Sequence, residues 1–205
     1  MIELTKKYKS GSALEILQEA ILFGDITKDD SLTQIELAGS LGTSRMPVRE
    51  ALIALKYQGL IERQTNQRIN AAPLTDEDIH GIFSDLAALE CGVIEGLDGE
   101  SLCALAECGT QEEFHRMLCG KAGAVLRRKT LETLTEVYLA FVLANALDRG
   151  KTDELFDDVK GVIEGLPMCD TSPDDLREVY RLYARVLGDE LIRIRRKRHA
   201  ELEAG

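Results

Sequence analysis

Two short helical patterns separated by a glycine turn constrain the fold of this chain more than any other feature. The first pattern follows Thr33, which fits a capping box with Glu36, and it stops at Gly42. The second begins after Ser44, with Pro47 tolerated in its first turn. Its apolar residues recur at helical spacing: Val48, Ala51, Leu52 and Leu55. A turn this short between two helices predicts a helix-turn-helix.

A further helix precedes this motif, and a hairpin follows it. Ser12 and Glu15 fit another capping box, which predicts a helix that ends at Gly24. Beyond Gly59, which stops the third helix, Ile61, Arg63 and Thr65 alternate with Glu62 and Gln64, and Arg68-Ile69-Asn70 follows a polar tip. This alternation predicts a short β-hairpin, or wing, whose tip residue is Asn66.

Arginines mark the start of the third helix. Arg45 and Arg49 are four residues apart and therefore share one helical face, away from the apolar stripe. Two guanidinium groups at the front of such a helix suit guanine edges in the major groove or flanking phosphates. Arg63 and Arg68 on the hairpin are expected to reach the adjacent DNA backbone or minor groove. The competing interpretation is a solvated face paired with nearby acids such as Glu50.

The overall charge argues against a nucleic-acid partner until it is divided along the chain. The whole sequence carries 25 basic and 36 acidic side chains, a formal charge of −11. Residues 1–74 contain nine of each and are neutral, so residues 75–205, with 16 basic and 27 acidic side chains, carry the entire excess. Residues 43–68 hold five basic and two acidic side chains, net +3. Residues 43–68, the segment predicted to contact DNA, are therefore locally positive, as phosphate binding requires.

Composition shifts near Pro73, which predicts two domains, residues 1–73 and 74–205. The second part shows helical periodicity throughout and no strand signal, beginning with a long helix capped by Thr75. We expect a mainly α protein: an N-terminal winged helix-turn-helix of three helices plus a β-hairpin, and a C-terminal all-α bundle of about six helices. Its basic end, residues 192–205, is interpreted as a solvated helix terminus.

The stretch LTQIELAGSLGTSRMPVREALIALKYQGLIER strongly resembles the winged helix-turn-helix of GntR-type transcription regulators, and the likeness covers about residues 12–72. The resemblance implies a homodimer that binds a palindromic operator in double-stranded DNA. It also implies that Arg45 and Arg49 contact DNA, and that Thr43 and Ser44 contact its backbone. The chain departs from the family at Ile35, where some members have another arginine, and at the wing tip, which has no glycine.

The segments SDLAALE and EEFHRML resemble the helical effector domain of the fatty-acid-regulator (FadR, or FCD) branch. That branch commonly holds a divalent metal through an aspartate and three histidines, and receives small organic acids there. His115 matches one of these histidines, but Gln111 stands at the aspartate position and Leu86 where arginine is common. The resemblance therefore implies an effector pocket at His115, Leu86 and Gln111 with a degenerate metal site and no cofactor. A rebuilt ligand set for a divalent metal is the alternative.

Other classes of protein are excluded on composition. The longest apolar run, Val137 to Ala144, is far shorter than a membrane span needs. Five cysteines without CxxC spacing and an N-terminus without an apolar signal core indicate a reduced, cytoplasmic protein. The sequence shows no phosphate-binding glycine loop, nucleophile elbow or metal-ligand spacing, so an enzyme is not expected.

The leading prediction is a dimeric DNA-binding transcription regulator, more specifically a repressor, that responds to a small-molecule effector. Two alternatives remain open: a ligand-binding or protein-interaction module whose winged helix no longer reads DNA, and a metal-dependent sensor.

Overall fold

The protein is mainly α-helical, as its sequence pattern predicts. The structure, a computed structural model, describes residues 11–63 and 68–204, without the side chain of Arg63. The chain divides into two compact units. One runs to Leu74 and resumes at Arg195, and the other spans Thr75 to Ile194. In the described ranges, no helix is both long and apolar enough to cross a membrane.

Three helices open the first unit: α1 (Ala13–Phe23), α2 (Gln34–Ser40) and α3 (Arg45–Tyr57). Both predicted capping boxes are confirmed, because Ser12 and Thr33 exchange hydrogen bonds with the residues three positions later. Gly42, between α2 and α3, has a φ of 60°, a left-handed backbone that glycine adopts without a steric penalty. The helix-turn-helix is therefore present as predicted.

A small antiparallel sheet follows α3. Strands β1 (Ile61–Arg63) and β2 (Ile69–Ala71) pair with Glu62 opposite Asn70. Leu32, which precedes α2, forms a further antiparallel bridge with Ile69. The sequence did not indicate this bridge, because Leu32 stands in a loop with no alternating pattern. The predicted wing tip, Asn66, lies outside the described residues.

The core of the first unit fixes α3 on one side. The predicted stripe of Val48, Ala51, Leu52 and Leu55 is buried, as are Leu17 and Leu22 of α1. Each fully buried leucine contributes about 1.5–3 kcal/mol relative to an exposed one. The face of α3 opposite this stripe is consequently held towards solvent.

The expectation of a solvated C-terminal helix end is confirmed for residues 199–204 and wrong for Arg195 and Arg198. Nη1 of Arg195 donates to the backbone oxygens of Ile21 (3.0 Å) and Leu22 (2.7 Å) at the end of α1. Nη2 of Arg198 lies 3.1 Å from Oδ2 of Asp25, whose side chain is 1% exposed. Charge spacing along one helix cannot show that its arginines satisfy the carbonyl groups at the end of another.

The second unit is entirely helical in the part of the chain that the structure describes. Its first four helices are α4 (Asp76–Ile94), α5 (Gly99–Ala106), α6 (Gln111–Lys121) and α7 (Val125–Thr133). A π-helical segment (Leu134–Leu139), α8 (Ala140–Asn145), α9 (Arg149–Gly165), a 3₁₀ turn (Leu166–Met168) and α10 (Pro173–Glu203) follow. The last residues of α10 belong to the first unit.

Helices α7 and α8 join through the π-helical segment without a break. This segment buries Val137, Tyr138 and Leu139 in succession. The 3.6-residue periodicity of the sequence could not reveal it.

Candidate nucleic-acid interface

The solvent face of α3 carries a row of long side chains. Arg45, Arg49, Ile53 and Tyr57 follow one another at intervals of four residues, and all four are exposed. Arg45 and Arg49 make no hydrogen bond or ion pair within the described residues. The interpretation that they pair with acids such as Glu50 therefore finds no support in the geometry. Their guanidinium groups keep their full hydrogen-bonding capacity for an external acceptor.

The N-terminus of α3 differs from those of the neighbouring helices. Ser44 occupies the N-cap position with an extended backbone, as expected, but its hydroxyl makes no capping hydrogen bond. The first turn of α3 also contains no acidic residue. The first backbone N–H groups of a helix lack internal partners, and together with the helix dipole they favour an anion. Neither a side-chain cap nor an acidic residue of its own first turn therefore neutralises the start of α3.

Thr43 lies in the turn just before this terminus and is exposed. Its backbone N–H donates to the Ala38 carbonyl at 3.0 Å, which fixes the approach of the chain to α3. The structure therefore places Thr43, Ser44, Arg45 and Arg49 together at one end of an exposed helix.

The wing residues are placed differently from the helix residues. Nη1 of Arg68 donates to the backbone oxygen of Ser31 at 3.1 Å, so this guanidinium braces the loop before α2. Nδ2 of Asn70 binds the Lys28 oxygen at 2.7 Å in the same region. The side chain of Arg63 and all of Asn66 lie outside what the structure describes.

Exposed apolar side chains flank the arginines. Ile35 of α2 is 66% exposed, and Met46 of α3 is 60% exposed. A cleft of about 320 Å³ between α3 and the hairpin is bordered by Arg49 and Lys56. The face combines positive charge with apolar contact area, which are the two components of base-edge reading in the major groove.

A second polar cluster lies inside the helical unit around the predicted effector residues. The hydroxyl of Tyr183 donates to Oε1 of Gln111 at 2.6 Å, and Nε2 of Gln111 donates to Oδ1 of Asp153 at 2.6 Å. Nε2 of His115 lies 3.2 Å from the Tyr183 oxygen. Its Nδ1 lies 2.5 Å from Oε1 of Glu90. We call these five residues the Glu90–Asp153 network.

The hydrogen bond from Tyr183 to Gln111 fixes the direction of the hydrogen bond between His115 and Tyr183. Because the Tyr183 hydroxyl donates to Gln111, its oxygen accepts, and Nε2 of His115 is the donor to it. The Nδ1 atom of His115 makes the second hydrogen bond of the ring, with the Glu90 carboxyl group. Glu90 and His115 are both almost completely buried, whereas Asp153 is exposed, so the network runs from the core to the surface.

These residues do not fit the metal that the FCD resemblance implies. Both ring nitrogens of His115 are engaged with protein atoms. Gln111, at the aspartate position, binds Asp153 and Tyr183 through its amide. Within residues 11–63 and 68–204, no three His, Cys, Asp or Glu side chains are grouped to hold a metal ion. Leu86, the third predicted pocket residue, is buried.

The sequence did not single out Glu90, Tyr183 or Asp153. The three stand on α4, α10 and α9, and their separations of 25, 68 and 38 residues from His115 carry no motif. The only signal was indirect. A lone histidine on a helix needs polar partners if it is buried, and this requirement does not say which distant residues supply them.

Comparison with known proteins gives a family for the first unit. Residues 9–70 match the model of the bacterial regulatory proteins of the gntR family. No curated protein sequence gives a significant match.

Two solved structures share the fold over most of the chain. One, described as Lar, which controls expression of the Listeria monocytogenes agr system, has a TM-score of 0.62 and 16% identity. It covers 88% of this chain and 95% of its own. A second, described as a GntR transcriptional regulator of Rhodococcus sp. RHA1, has a TM-score of 0.50 at 20% identity, covering 87% of this chain and 95% of its own.

The family match covers the same helices and hairpin that carry the exposed arginine row. Residues 9–70 therefore form a helix-turn-helix domain of the gntR family of bacterial regulatory proteins.

Proposed function

We propose that this protein is a transcription regulator that binds operator DNA through α3 and represses the genes beside it. The observation that carries the proposal is the N-terminus of α3. There, two exposed arginines, which have no partner among the residues that the structure describes, stand beside a helix start with neither a side-chain cap nor an acidic residue in its first turn. This arrangement suits a phosphate at the helix start and guanine edges along the arginine row.

The proposal includes a cytoplasmic homodimer and a palindromic operator. A two-fold dimer presents two copies of α3, and half-sites about 10 base pairs apart fit this symmetry. The acidic excess lies in residues 75–205, so the helical unit repels DNA and the first unit supplies the attraction. We expect a strong dependence of affinity on salt concentration.

We assign the helical unit a sensing role. An effector bound there changes operator affinity only if it favours one state of the protein over the other, through a coupling free energy of about 1–3 kcal/mol. The similar fold of the Listeria protein, which is described as controlling gene expression, supports a regulatory role.

Fluorescence anisotropy with DNA from immediately upstream of the gene tests the proposal. Arg45→Ala and Arg49→Ala should each weaken specific binding by about tenfold or more, from the loss of roughly 1–3 kcal/mol of contact. Arg128→Ala is the matched control: it removes the same charge from α7, where Arg128 faces Glu132 on the surface. Equal effects of all three variants would reject reading by α3.

The same experiment also tests the second candidate, a winged helix that no longer binds DNA. The exposed Ile35, in place of a frequent arginine, motivates that second candidate. It predicts no preference for the upstream DNA over a scrambled duplex at any salt concentration. Sedimentation of the protein with a symmetric duplex gives the stoichiometry, and one chain per operator would refute the dimer.

A further inference from the structure

Exposed apolar side chains are concentrated in the helix-turn-helix. Of the ten large apolar side chains that are exposed in the described residues, four belong to residues 35–57: Ile35, Met46, Ile53 and Tyr57. Single exposed apolar side chains are ordinary at a protein surface, whereas a group of them on one surface indicates a contact with another molecule. Three of the four stand on α3, the helix that carries the exposed arginines.

Met46 points directly away from the core of the first unit. It is the second residue of α3 and precedes the fully buried Leu55 by nine residues. At 3.6 residues per turn, nine residues correspond to about two and a half turns, so the two side chains leave opposite sides of the helix. The 60% exposure of Met46 agrees with this geometry. Its thioether is therefore presented outwards at the front of α3.

The two exposed arginines of α3 are the neighbours of Met46. Arg45 directly precedes it, and Arg49 follows it by three residues. Residues three or four apart are adjacent on the surface of a helix, so the methionine lies beside both guanidinium groups. The geometry of a guanidinium group matches O6 and N7 of guanine in the major groove. An apolar side chain thus stands among groups that suit base edges.

Helix α3 also carries one carboxylate close to Met46. Glu50 follows Met46 by four residues and is exposed. A carboxylate repels phosphate, but it accepts a hydrogen bond from N4 of cytosine. Cations, an acceptor and an apolar side chain therefore share the outward side of α3. Such a mixture suits the varied edges of bases better than the uniform charge of a phosphate row.

The methionine side chain matches one feature of the major groove. Thymine presents a methyl group there, at C5, which the other three bases lack. A thioether is flexible and polarizable, and its sulfur is only a weak acceptor. Contact between the two therefore removes apolar surface from water and leaves no strong polar group without a partner.

Position in the motif separates Met46 from Ile35. In a helix-turn-helix, the N-terminal residues of the second helix contact base edges, while the first helix crosses the DNA backbone. Met46 is the second residue of α3, whereas Ile35 is the second residue of α2. We therefore expect Ile35 to lie against sugar and phosphate, where it does not distinguish one base from another.

We propose that Met46 is a specificity-determining residue, which contacts the 5-methyl group of a thymine in each half-site of the operator. Arg45 and Arg49 bind guanines or phosphates beside this thymine. The inference rests on the proposed function, because it assigns a base to one side chain of the same interface. It adds a contact that the arginines do not supply, since a guanidinium group has no preference for a methyl group.

Uracil in place of thymine tests the contact, because uracil pairs with adenine in the same way and lacks only the 5-methyl group. Fluorescence anisotropy compares the upstream duplex with the same duplex synthesised with uracil throughout. The full-length protein should bind the uracil duplex about fourfold more weakly for each lost contact, the equivalent of about 0.8 kcal/mol of apolar burial. Thymines replaced one at a time should place the loss at one thymine in each half-site.

Variants of Met46 assign the effect to this side chain. Met46→Ala should bind the thymine duplex about fourfold more weakly and bind both duplexes equally. Met46→Leu keeps an apolar side chain of similar volume and should keep the preference for thymine. Met168→Ala is the matched control, since Met168 is 75% exposed on the 3₁₀ turn, and it should behave as the wild type. Ile35→Ala should affect both duplexes equally.

The proposal is overturned if the wild type binds both duplexes equally, if Met46→Ala keeps the preference for thymine, or if Ile35→Ala removes it. A changed sedimentation coefficient of Met46→Ala would also overturn it, because Met46 would then contact a second copy of the chain.

The proposed function is judged separately, by Arg45→Ala and Arg49→Ala on the thymine duplex alone. Weaker binding of these variants, with no thymine preference in the wild type, rejects the methyl contact and leaves the proposed function standing. A wild type without specific binding to the thymine duplex rejects both.

Discussion

Nδ1 of His115 lies 2.5 Å from Oε1 of Glu90, and both side chains are shielded from solvent. A polar pair this deeply buried is stable only while both partners remain, because Nδ1 of His115 and Oε1 of Glu90 satisfy each other in a medium that excludes water. The pair also orders the rest of the network, since His115 is hydrogen-bonded to Tyr183 and the Tyr183 hydroxyl donates to Gln111.

Replacing His115 should therefore be costly. We expect His115→Ala to lower the free energy of unfolding by about 3–5 kcal/mol, because it strands the Glu90 carboxylate in the core. Chemical denaturation followed by circular dichroism measures this. His199→Ala is the control: His199 pairs with Glu203 where both side chains are 71% exposed, so its change should stay within about 0.5 kcal/mol. Similar losses for both variants would contradict a structural role for the network.

A negative charge at the start of α3 should separate stability from DNA binding. Ser44→Asp places a carboxylate beside uncapped N–H groups and should raise stability by roughly 0.3–1 kcal/mol. The same carboxylate repels phosphate, so operator affinity should fall by about tenfold or more. Thermal unfolding and anisotropy measure the two effects.

The matched control for Ser44→Asp lies on α7. Ala124 is the N-cap of α7 and also makes no side-chain capping bond. Ala124→Asp should stabilise the protein by about 1 kcal/mol and leave DNA binding unchanged. If Ser44→Asp weakens DNA binding no more than Ala124→Asp does, a DNA contact at the start of α3 is ruled out.

The end of α10 should contribute to the stability of the first unit. Arg198 pairs with the buried Asp25 carboxylate and also lies over the Phe23 ring, 5.2 Å from its centroid. We expect Arg198→Met to cost about 3 kcal/mol, because it removes a cation that lies 3.1 Å from a buried carboxylate. The exposed Lys197 gives the control, since Lys197→Met removes the same charge one residue away. Hydrogen exchange in α1 should rise only in the Arg198 variant.

The cap of α4 should make the free energy of unfolding depend on pH. The Thr75 hydroxyl and backbone N–H donate to the Asp78 carboxylate and hold its pKa below the ordinary 3.8. A lowered folded-state pKa means that the contribution is complete above pH 3.8 and is lost as the pH falls below it. Asp78→Asn should therefore flatten the acid side of the stability curve.

Urea unfolding between pH 2 and pH 7 measures the slope of that curve. This interval covers the pH values at which carboxyl groups with a pKa of about 4 gain and lose their proton. Asp85→Asn, the same change at an exposed position of the same helix, is the comparison. An unchanged acid limb in Asp78→Asn would show that the capping carboxylate contributes nothing.

Local rules were enough for the helix-turn-helix of the first unit. The capping boxes at Ser12 and Thr33, the cap at Thr75, the stop at Gly42 and the buried stripe of α3 all involve residues within a few positions of one another, so local sequence patterns predict them. The exposed position of Arg45 and Arg49 follows from the same periodicity. For that reason the sequence alone determined the helix-turn-helix and which of its faces points outwards.

Only the tertiary structure decided which distant groups meet. Glu90 reaches His115, and Arg198 reaches Asp25. Each pairing joins elements far apart in the chain and depends on how helices pack. Packing is set by the sum of many small contacts, which a single sequence does not display as a motif.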